Sequence, residues 1–317
     1  MDILVGNTGF VGHNLSKQHR FTYTFNSQNI MDAYGISPDL CVYSGIRAEK
    51  FRADHFPDED LAHVQNALEN IRKINPRHLV LISTVDVIPE MQIQDVYEDT
   101  LYNTANLTPY GEHRILLENE VRKLYPNTLI IRLPALFGQG LKKNFIFDLI
   151  SYVPAMLKKS KYNELLEKQE RLGYFYAEDA NGFFRLSSGI LPEEQANLKE
   201  MFEKLGFSAL NFTDSRSTFS FYNLNYLWYH IEVLLENHIK LAHMATEVVS
   251  ASEIYKTIYG SDFENEIQAV PFDYRFFKTR YGKLLGSSDD YIFDKEKVTE
   301  EIDNFVKNQI IERKLAK

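Results

Sequence analysis

The chain has 317 residues and a net charge of −9, and 44% of its residues are hydrophobic. This length and composition are typical of one large or two smaller globular domains. The acidic balance argues against binding to nucleic acid or an anionic membrane, and no apolar run approaches the roughly 20 residues that span a bilayer. The single cysteine, Cys41, cannot form an internal disulfide. We therefore expect a cytoplasmic protein without a signal peptide.

Short apolar segments alternate with amphipathic ones through the first 140 residues. Proline residues at 38 and 76 precede two of the apolar runs as stop signals. The pattern predicts strands over 2–5, 21–25, 40–43, 78–82 and 129–133, and helices over 10–16, about 61–71 and 110–124. Strands that alternate with helices predict a parallel sheet covered by helices on both faces.

The alternation stops after Gly138. Residues 141–210 are charged and predicted to be mostly helical, without a flexible linker or an internal repeat. A strand-like run at 218–222 and the helix after it are predicted to return to the first domain. We therefore expect a first domain of residues 1–140 and about 216–255. A smaller, mostly helical domain of about 141–215 and 256–317 would bind the substrate.

Three glycines at three-residue spacing, Gly6, Gly9 and Gly12, separate the first strand from the first helix. The first glycine permits a tight turn, the second lets the backbone approach a pyrophosphate, and the third lets the helix pack on the strand. Phosphates then lie over the helix N-terminus, where N–H groups and the helix dipole favour negative charge. The loop therefore predicts a dinucleotide site.

The spacing Gly-x-x-Gly-x-x-Gly resembles the extended short-chain dehydrogenase/reductase family, which includes NAD-dependent nucleotide-sugar epimerases, dehydratases and 4-keto reductases. The resemblance implies an α/β fold, with a Rossmann-type doubly wound parallel sheet and a smaller, mostly helical substrate-binding domain. It also implies that NAD or NADP is the cofactor. The cofactor contacts that it implies in this loop are Gly6, Thr8, Gly9, Phe10, Val11 and Gly12.

The resemblance extends to a catalytic group. Thr84 ends the fourth strand at the position of the family's Ser/Thr, and Tyr110 opens the next helix as the family's tyrosine. Arg114 stands where the family has lysine, and Tyr110 and Arg114 are also expected to contact the cofactor. Residues four apart share a helix face, and a nearby cation stabilises a phenolate. Arginine keeps the charge but cannot give up a proton.

The residues after Thr84 bear on the reaction. Family dehydratases carry Thr-Asp-Glu here, whereas this chain has Thr84-Val85-Asp86, which disfavours a dehydratase. Asp86 is then expected to contact the substrate. The short path from the second strand to the third resembles reductases that act on 4-keto sugars, and epimerase and 4-keto reductase both stay open.

The turn after the second strand carries neither an acid nor an arginine for the adenosine ribose. Asn26 and Ser27 are the expected contacts there, which leaves NAD and NADP open with a lean towards NADP. Ser44 and Gly45 end the third strand, where the family lines the cofactor with small residues.

Two further matches suggest a nucleotide-diphosphate sugar as substrate. Asn144 falls at a family position that contacts the substrate's phosphate, and Arg216 resembles a phosphate-binding arginine. The family often forms homodimers through the helix that bears the tyrosine, which the resemblance extends to this chain.

Three functions follow as hypotheses. The first is an NAD(P)-dependent nucleotide-sugar epimerase or 4-keto reductase with a Thr84, Tyr110 and Arg114 triad. The second is an NAD(P)-binding sensor or assembly subunit with weak or no turnover, which Arg114 favours. The third is a reductase of another small ketone.

Overall fold

The computed structural model describes residues 1–89, 94–179, 181–286 and 289–315. The chain divides into two compact units: residues 1–141, 218–249 and 272–299 form the first, and residues 142–217, 250–271 and those from 300 onward form the second. The segment 272–299, which we expected in the smaller domain, lies in the first unit, and residues 250–255, which we expected in the first domain, lie in the second. That the second unit binds substrate stays a prediction.

The secondary structure begins with the predicted alternation of strands and helices. The strands are β1 (Asp2–Val5), β2 (Tyr23–Phe25), β3 (Leu40–Tyr43), β4 (His78–Thr84), β5 (Leu129–Leu133), β6 (Ala135–Phe137), β7 (Met156–Lys158), β8 (Tyr176–Glu178), β9 (Phe183–Leu186), β10 (Thr218–Phe219), β11 (Phe221–Asn223), β12 (Leu241–His243) and β13 (Val249–Ser250). The helices are α1 (Phe10–Gln18), α2 (Lys50–His55), α3 (Pro57–Ile74), α4 (Pro109–Leu124), α5 (Phe145–Ser151), α6 (Lys159–Lys168), α7 (Pro192–Leu205), α8 (Leu227–Glu236), α9 (Ala251–Tyr259), α10 (Gly282–Leu285) and α11 (Lys295–Leu315).

The first unit is built on a six-stranded parallel sheet in the order β12-β5-β4-β3-β1-β2. β1 lies between β2 and β3, so the order of strands reverses between β1 and β3. In open α/β sheets, ligands bind outside the carboxyl ends of the strands at such a switch point. The predicted doubly wound parallel α/β fold is confirmed.

Alternate residues along the central strands face opposite sides of the sheet, as the period of a strand requires. Leu4, Val42 and Val80 pack on one side in a core that includes residues of α1 and α8. Their chain neighbours pack on the other side in a core that includes residues of α3 and α4, and both sides of these parallel strands are therefore buried. The strand residues of this second core include Ile3, Val5, Cys41, Tyr43, Leu79 and Leu81.

The second unit includes α5, α6, α7 and α9 and a three-stranded antiparallel sheet in the order β7-β9-β8. Its core includes Leu157, Leu165, Leu172 and Phe202. The three strands were not predicted, because each has only three or four residues and no clear alternation. Among the residues described, no helix is long and apolar enough to cross a membrane.

Candidate functional site

The glycine loop leaves β1 at the switch point of the sheet. Gly6 has a φ of +94°, and its N–H donates to the carbonyl of Phe25 at the end of β2 at 2.7 Å. A Cβ on Gly6 would lie 2.6 Å from the carbonyl carbon and oxygen of Ser44, just after β3. Only glycine therefore allows the backbone after β1 to pass this close to the chain after β3.

Gly12 and Gly9 differ in what surrounds them. A Cβ on Gly12 would lie 2.1 Å from the carbonyl oxygen of Gly6, so this glycine brings α1 against the loop. A Cβ on Gly9 would meet only the Gly6 oxygen, at 3.3 Å. Thr8 and Gly9 are exposed, whereas Gly12 is buried. The third glycine therefore has the packing role expected of it, and the second leaves an exposed stretch of backbone.

The N-terminus of α1 suits an anion. Its N-cap is Gly9, which has no side chain to cap the helix, and its first turn contains no acidic residue. Phe10 and Val11 are partly buried and pack against the core. The first N–H groups of the helix and its dipole are therefore held in place beside the exposed backbone at Thr8.

Neutral polar residues follow β2 and β3. Asn26 accepts the N–H of Gln28 at 2.9 Å and donates from Nδ2 to Oδ1 of Asn7 at 3.4 Å, while Ser27 is exposed. Ser44 donates from Oγ to the carbonyl of Val5 at 2.9 Å, and the next residue, Gly45, is exposed.

Thr84, Asp86 and Tyr110 come together at the end of β4. The Thr84 hydroxyl donates to Oδ2 of Asp86 at 2.7 Å, and the Asp86 N–H donates back to the Thr84 oxygen at 3.2 Å. A Cβ on Gly111 would lie 2.2 Å from the Asp86 carbonyl oxygen, so glycine there lets α4 approach this turn. The adjacent Tyr110 is only 6% exposed, and its N–H donates to Oδ1 of Asp54 at 3.0 Å.

Arg114 forms an ion pair that the sequence analysis did not predict. Both of its terminal nitrogens donate to the carboxylate of Asp60 at 3.0 Å, and one also donates to the carbonyl of Arg47 at 2.7 Å. His113 contacts the same carboxylate at 2.8 Å. The guanidinium carbon lies 4.4 Å from the centroid of the Tyr110 ring. Arg114 is therefore paired within the protein and also lies over the face of the tyrosine.

Burial dominates the ionisation of Tyr110. Removal from water raises the pKa of its phenol, and the negative charge of Asp86 raises it further. The positive charge of Arg114 opposes that increase without overcoming it. Burial would also raise the pKa of Asp60, but the hydrogen bonds from Arg114 and His113 outweigh burial and lower it. Tyr110 is thus held as a neutral phenol and Asp60 as a carboxylate at neutral pH.

Sequence reasoning missed two charged residues beside these groups. Lys50, at the start of α2, places Nζ 2.8 Å from Oδ1 of Asp86. Asp60 is 7% exposed on α3. Asp60 lies four residues before Val64 and so shares the buried face of the helix, which is a signal for a paired carboxylate. No comparable signal marks Lys50, because its partner is 36 residues away.

Two of the three predicted substrate residues, Asn144 and Arg216, lie in the second unit, whereas Asp86 lies in the first. The side chain of Asn144 accepts the N–H of Phe147 at 3.2 Å and so caps α5. Arg216 forms a fork with Asp214 at 2.9 and 2.8 Å and pairs with Glu266 at 3.0 Å. Both residues thus have structural partners, and their binding of phosphate stays a prediction.

No metal site accompanies these groups: among the described residues, no cluster of three or more His, Cys, Asp or Glu side chains could hold a metal ion.

Comparison with known proteins supports the family. Residues 37–182 match the model of the NAD dependent epimerase/dehydratase family, a range that includes Thr84 and Tyr110 but not the glycine loop. No curated protein matches the chain.

Similar solved structures cover nearly the whole chain. A dTDP-4-dehydrorhamnose reductase from Yersinia enterocolitica has 11% identity and a TM-score of 0.61, covering 98% of this chain and 99% of its own. The reductase of that name from Bacillus anthracis, solved with NADP, has 15% identity and a TM-score of 0.60, covering 96% of each chain. A UDP-glucuronic acid 4-epimerase from Bacillus cereus, solved with NAD and a fluorinated UDP-sugar, has 16% identity and a TM-score of 0.58, covering 98% and 99%.

At these identities the solved structures share the fold with this chain. Over residues 37–182 the chain also matches the NAD dependent epimerase/dehydratase family, which confirms the resemblance inferred from its sequence.

Proposed function

We propose that this chain binds NAD or NADP at the switch point of its sheet and acts on a nucleotide-diphosphate sugar as a 4-keto reductase or 4-epimerase. One observation carries the proposal. The glycine loop lies at the end of β1, while Thr84 ends β4, two strands away in the same sheet, and Tyr110 lies beside it. At about 4.8 Å per strand, this spacing is about 10 Å, within the length of a dinucleotide.

The residues at the loop fit a dinucleotide. The exposed backbone at Thr8 and Gly9 and the uncapped start of α1 offer N–H donors to a pyrophosphate. Between residues 26 and 29 the turn has no carboxylate, so nothing there repels a 2′-phosphate, and NADP is the expected preference. The use of NADP and NAD by the similar solved enzymes supports this assignment.

The bound dinucleotide would supply or accept a hydride at the sugar carbon. Thr84 and Tyr110 would hold the oxygen on that carbon, and Tyr110 would move its proton. Its raised pKa keeps Tyr110 protonated at neutral pH, and the protonated phenol is the form that can give a proton to a carbonyl oxygen, which supports reduction. An epimerase needs the same tyrosine to act in both directions.

The substrate's diphosphate is assigned to Asn144 and Arg216. Arg216 is paired with Asp214, so a diphosphate would have to compete with that carboxylate or share the guanidinium with it. A homodimer through α4 remains a prediction from the family.

A cofactor-binding sensor is the second candidate. The pairing of Arg114 with Asp60 favours it, because a cation that is neutralised by its own carboxylate stabilises a phenolate less than the family's lysine would. The sensor would keep the glycine loop and bind the dinucleotide without turnover.

The test is thermal stabilisation by NAD, NADP and their reduced forms, each with and without UDP-, GDP-, CDP- and dTDP-sugars. We expect a shift with a dinucleotide that one nucleotide sugar enlarges. No shift with any dinucleotide would contradict the proposal.

The variant Tyr110→Phe then separates the two candidates. In an enzyme it should keep the cofactor shift but lower turnover by about 10²–10⁴-fold. In a sensor it should change little. A shift with a dinucleotide but none with any nucleotide sugar would favour a reductase of another small ketone.

A further inference from the structure

Lys50 is connected to the Thr84–Tyr110 pair through one carboxylate. Its ammonium pairs with Oδ1 of Asp86 at 2.8 Å, while the other oxygen of Asp86 accepts the Thr84 hydroxyl at 2.7 Å. Asp86 is 18% exposed and Lys50 is 37% exposed, so the pair extends from the candidate site towards solvent. One carboxylate thus bridges a cation and the hydroxyl next to Tyr110.

The bridge fixes the direction of the hydrogen bonds. A carboxylate can only accept, so the single proton of the Thr84 hydroxyl points to Asp86. The Thr84 oxygen accepts the Asp86 N–H and keeps a lone pair for another donor, such as the hydroxyl of a neighbouring phenol or substrate. Without Lys50, Asp86 would be a carboxylate without this countercharge, close to Tyr110.

Arg114 does not supply the countercharge of Asp86. Its guanidinium is held by Asp60 and by the carbonyl of Arg47, and it lies over the ring of Tyr110. Its charge is therefore shared with a buried carboxylate, whereas that of Lys50 acts on the carboxylate bonded to Thr84.

We propose that Lys50 is a second cation that serves the Thr84–Tyr110 pair beside Arg114, and that it does so as a positioning residue through Asp86. It offsets the charge of Asp86 and keeps that carboxylate oriented towards Thr84. The role of Lys50 in catalysis rests on the proposed function, but the effect of Lys50 on the ionisation of Tyr110 can be measured on the protein without cofactor or substrate.

Tyr110 has charged neighbours on several elements, and two of them, Asp86 and Arg114, act on its ionisation. Asp86, in the turn after β4, raises its pKa, and Arg114 on α4 lowers it. Asp54 on α2 accepts its backbone N–H, and Asp60 on α3 balances the charge of Arg114. Removing Lys50 leaves these four residues in place and takes away the countercharge of Asp86.

The experiment replaces Tyr110 with 3,5-difluorotyrosine, whose phenol ionises at lower pH than tyrosine, and follows its ¹⁹F signal against pH. Lys50→Met should raise the midpoint by about half a pH unit, roughly a threefold drop in the ionisation constant. Lys50→Arg keeps the charge and should restore the midpoint. Lys73→Met is the matched control, since Lys73 pairs with Glu69 on the surface of α3.

An unchanged midpoint in Lys50→Met, or the same increase in Lys50→Arg, would overturn the proposal. Should Lys50→Met not fold, Asp86→Asn gives the second test, because it removes the carboxylate and should lower the midpoint. An unchanged midpoint in that variant would also overturn it. The titration needs no cofactor, so its result is independent of whether a dinucleotide stabilises the protein.

Discussion

The glycine loop and the Tyr110 cluster serve the same candidate site but are built in different ways. The loop depends on backbone: Gly6 and Gly12 are required because a Cβ would meet main-chain atoms at 2.6 and 2.1 Å. The cluster depends on side chains from α2, α3, α4 and the turn after β4, joined by ion pairs such as Arg114–Asp60. The loop can therefore be disturbed by adding one methyl group, whereas the cluster can be disturbed by changing one charge.

The largest effect should come from breaking the buried ion pair of the cluster. Asp60→Leu leaves Arg114, which is 3% exposed, without its carboxylate, and should lower the free energy of unfolding by about 3–5 kcal/mol. Denaturant unfolding measures this loss.

Two controls test that explanation. The double variant Asp60→Leu with Arg114→Met removes both charges and should recover most of the loss. Glu59→Gln, at a half-exposed neighbour that pairs with Arg52, should cost less than about 1 kcal/mol. A double variant no more stable than Asp60→Leu would show that the ion pair is not what Asp60 contributes.

The loop should respond to a methyl group at one glycine and not at another. Gly12→Ala forces a Cβ against the Gly6 carbonyl and should cost about 2–3 kcal/mol of unfolding free energy. Gly9→Ala meets only one atom at 3.3 Å and should cost less than about 1 kcal/mol, while weakening dinucleotide binding. Equal losses of stability in the two variants would contradict the separate roles of these glycines.

This contrast explains what the sequence could predict. The glycine roles follow from local order, since a strand, a tight turn and a helix occur within 18 residues. Strands β1, β3 and β5 were predicted at their observed bounds because they are apolar runs with at most one charged residue, Asp2 in β1 and Arg132 in β5. The resemblance to the family placed Thr84 at the end of the fourth strand and Tyr110 at the start of the next helix, and β4 and α4 have these residues there.

The partners of the cluster could not be predicted in the same way. Arg114 is 54 residues from Asp60 and Lys50 is 36 residues from Asp86, so only the fold brings them together. The family position of Arg114 indicated a helix face but not which carboxylate would face it. Likewise, Arg132 in the buried strand β5 indicates a buried partner, and the structure supplies Glu118, which is fully buried on α4.

The smallest of the three effects on the free energy of unfolding should come from lowering the pH. Acid changes the charges of the side-chain networks but not those of the loop backbone. His243 donates from Nδ1 to the carbonyl of Lys278 and accepts from Arg132 at 3.2 Å, next to the ion pair with Glu118 on α4. Burial and, to a smaller extent, the positive charge of Arg132 lower the pKa of His243 to about 3. In the unfolded chain His243 binds a proton near pH 6.5, whereas in the folded chain it stays neutral down to a much lower pH. The free energy of unfolding therefore falls as the pH drops below about 6.5.

Between pH 7 and pH 5 this histidine should remove about 2 kcal/mol from the free energy of unfolding. Burial lowers the pKa of His230 to about 4, so that residue acts in the same direction. His243→Asn should therefore be less stable at pH 7 yet lose about half of the slope that the two histidines cause. Hydrogen exchange should show α4 losing protection before the glycine loop as the pH is lowered, because the proton on His243 acts on the network that anchors α4 and no titratable group lies between residues 6 and 12. Loss of protection at the same pH in α4 and in the glycine loop would mean that the loop and the cluster unfold as one cooperative unit. The two regions would then differ in the contacts that build them but not in their stability towards acid.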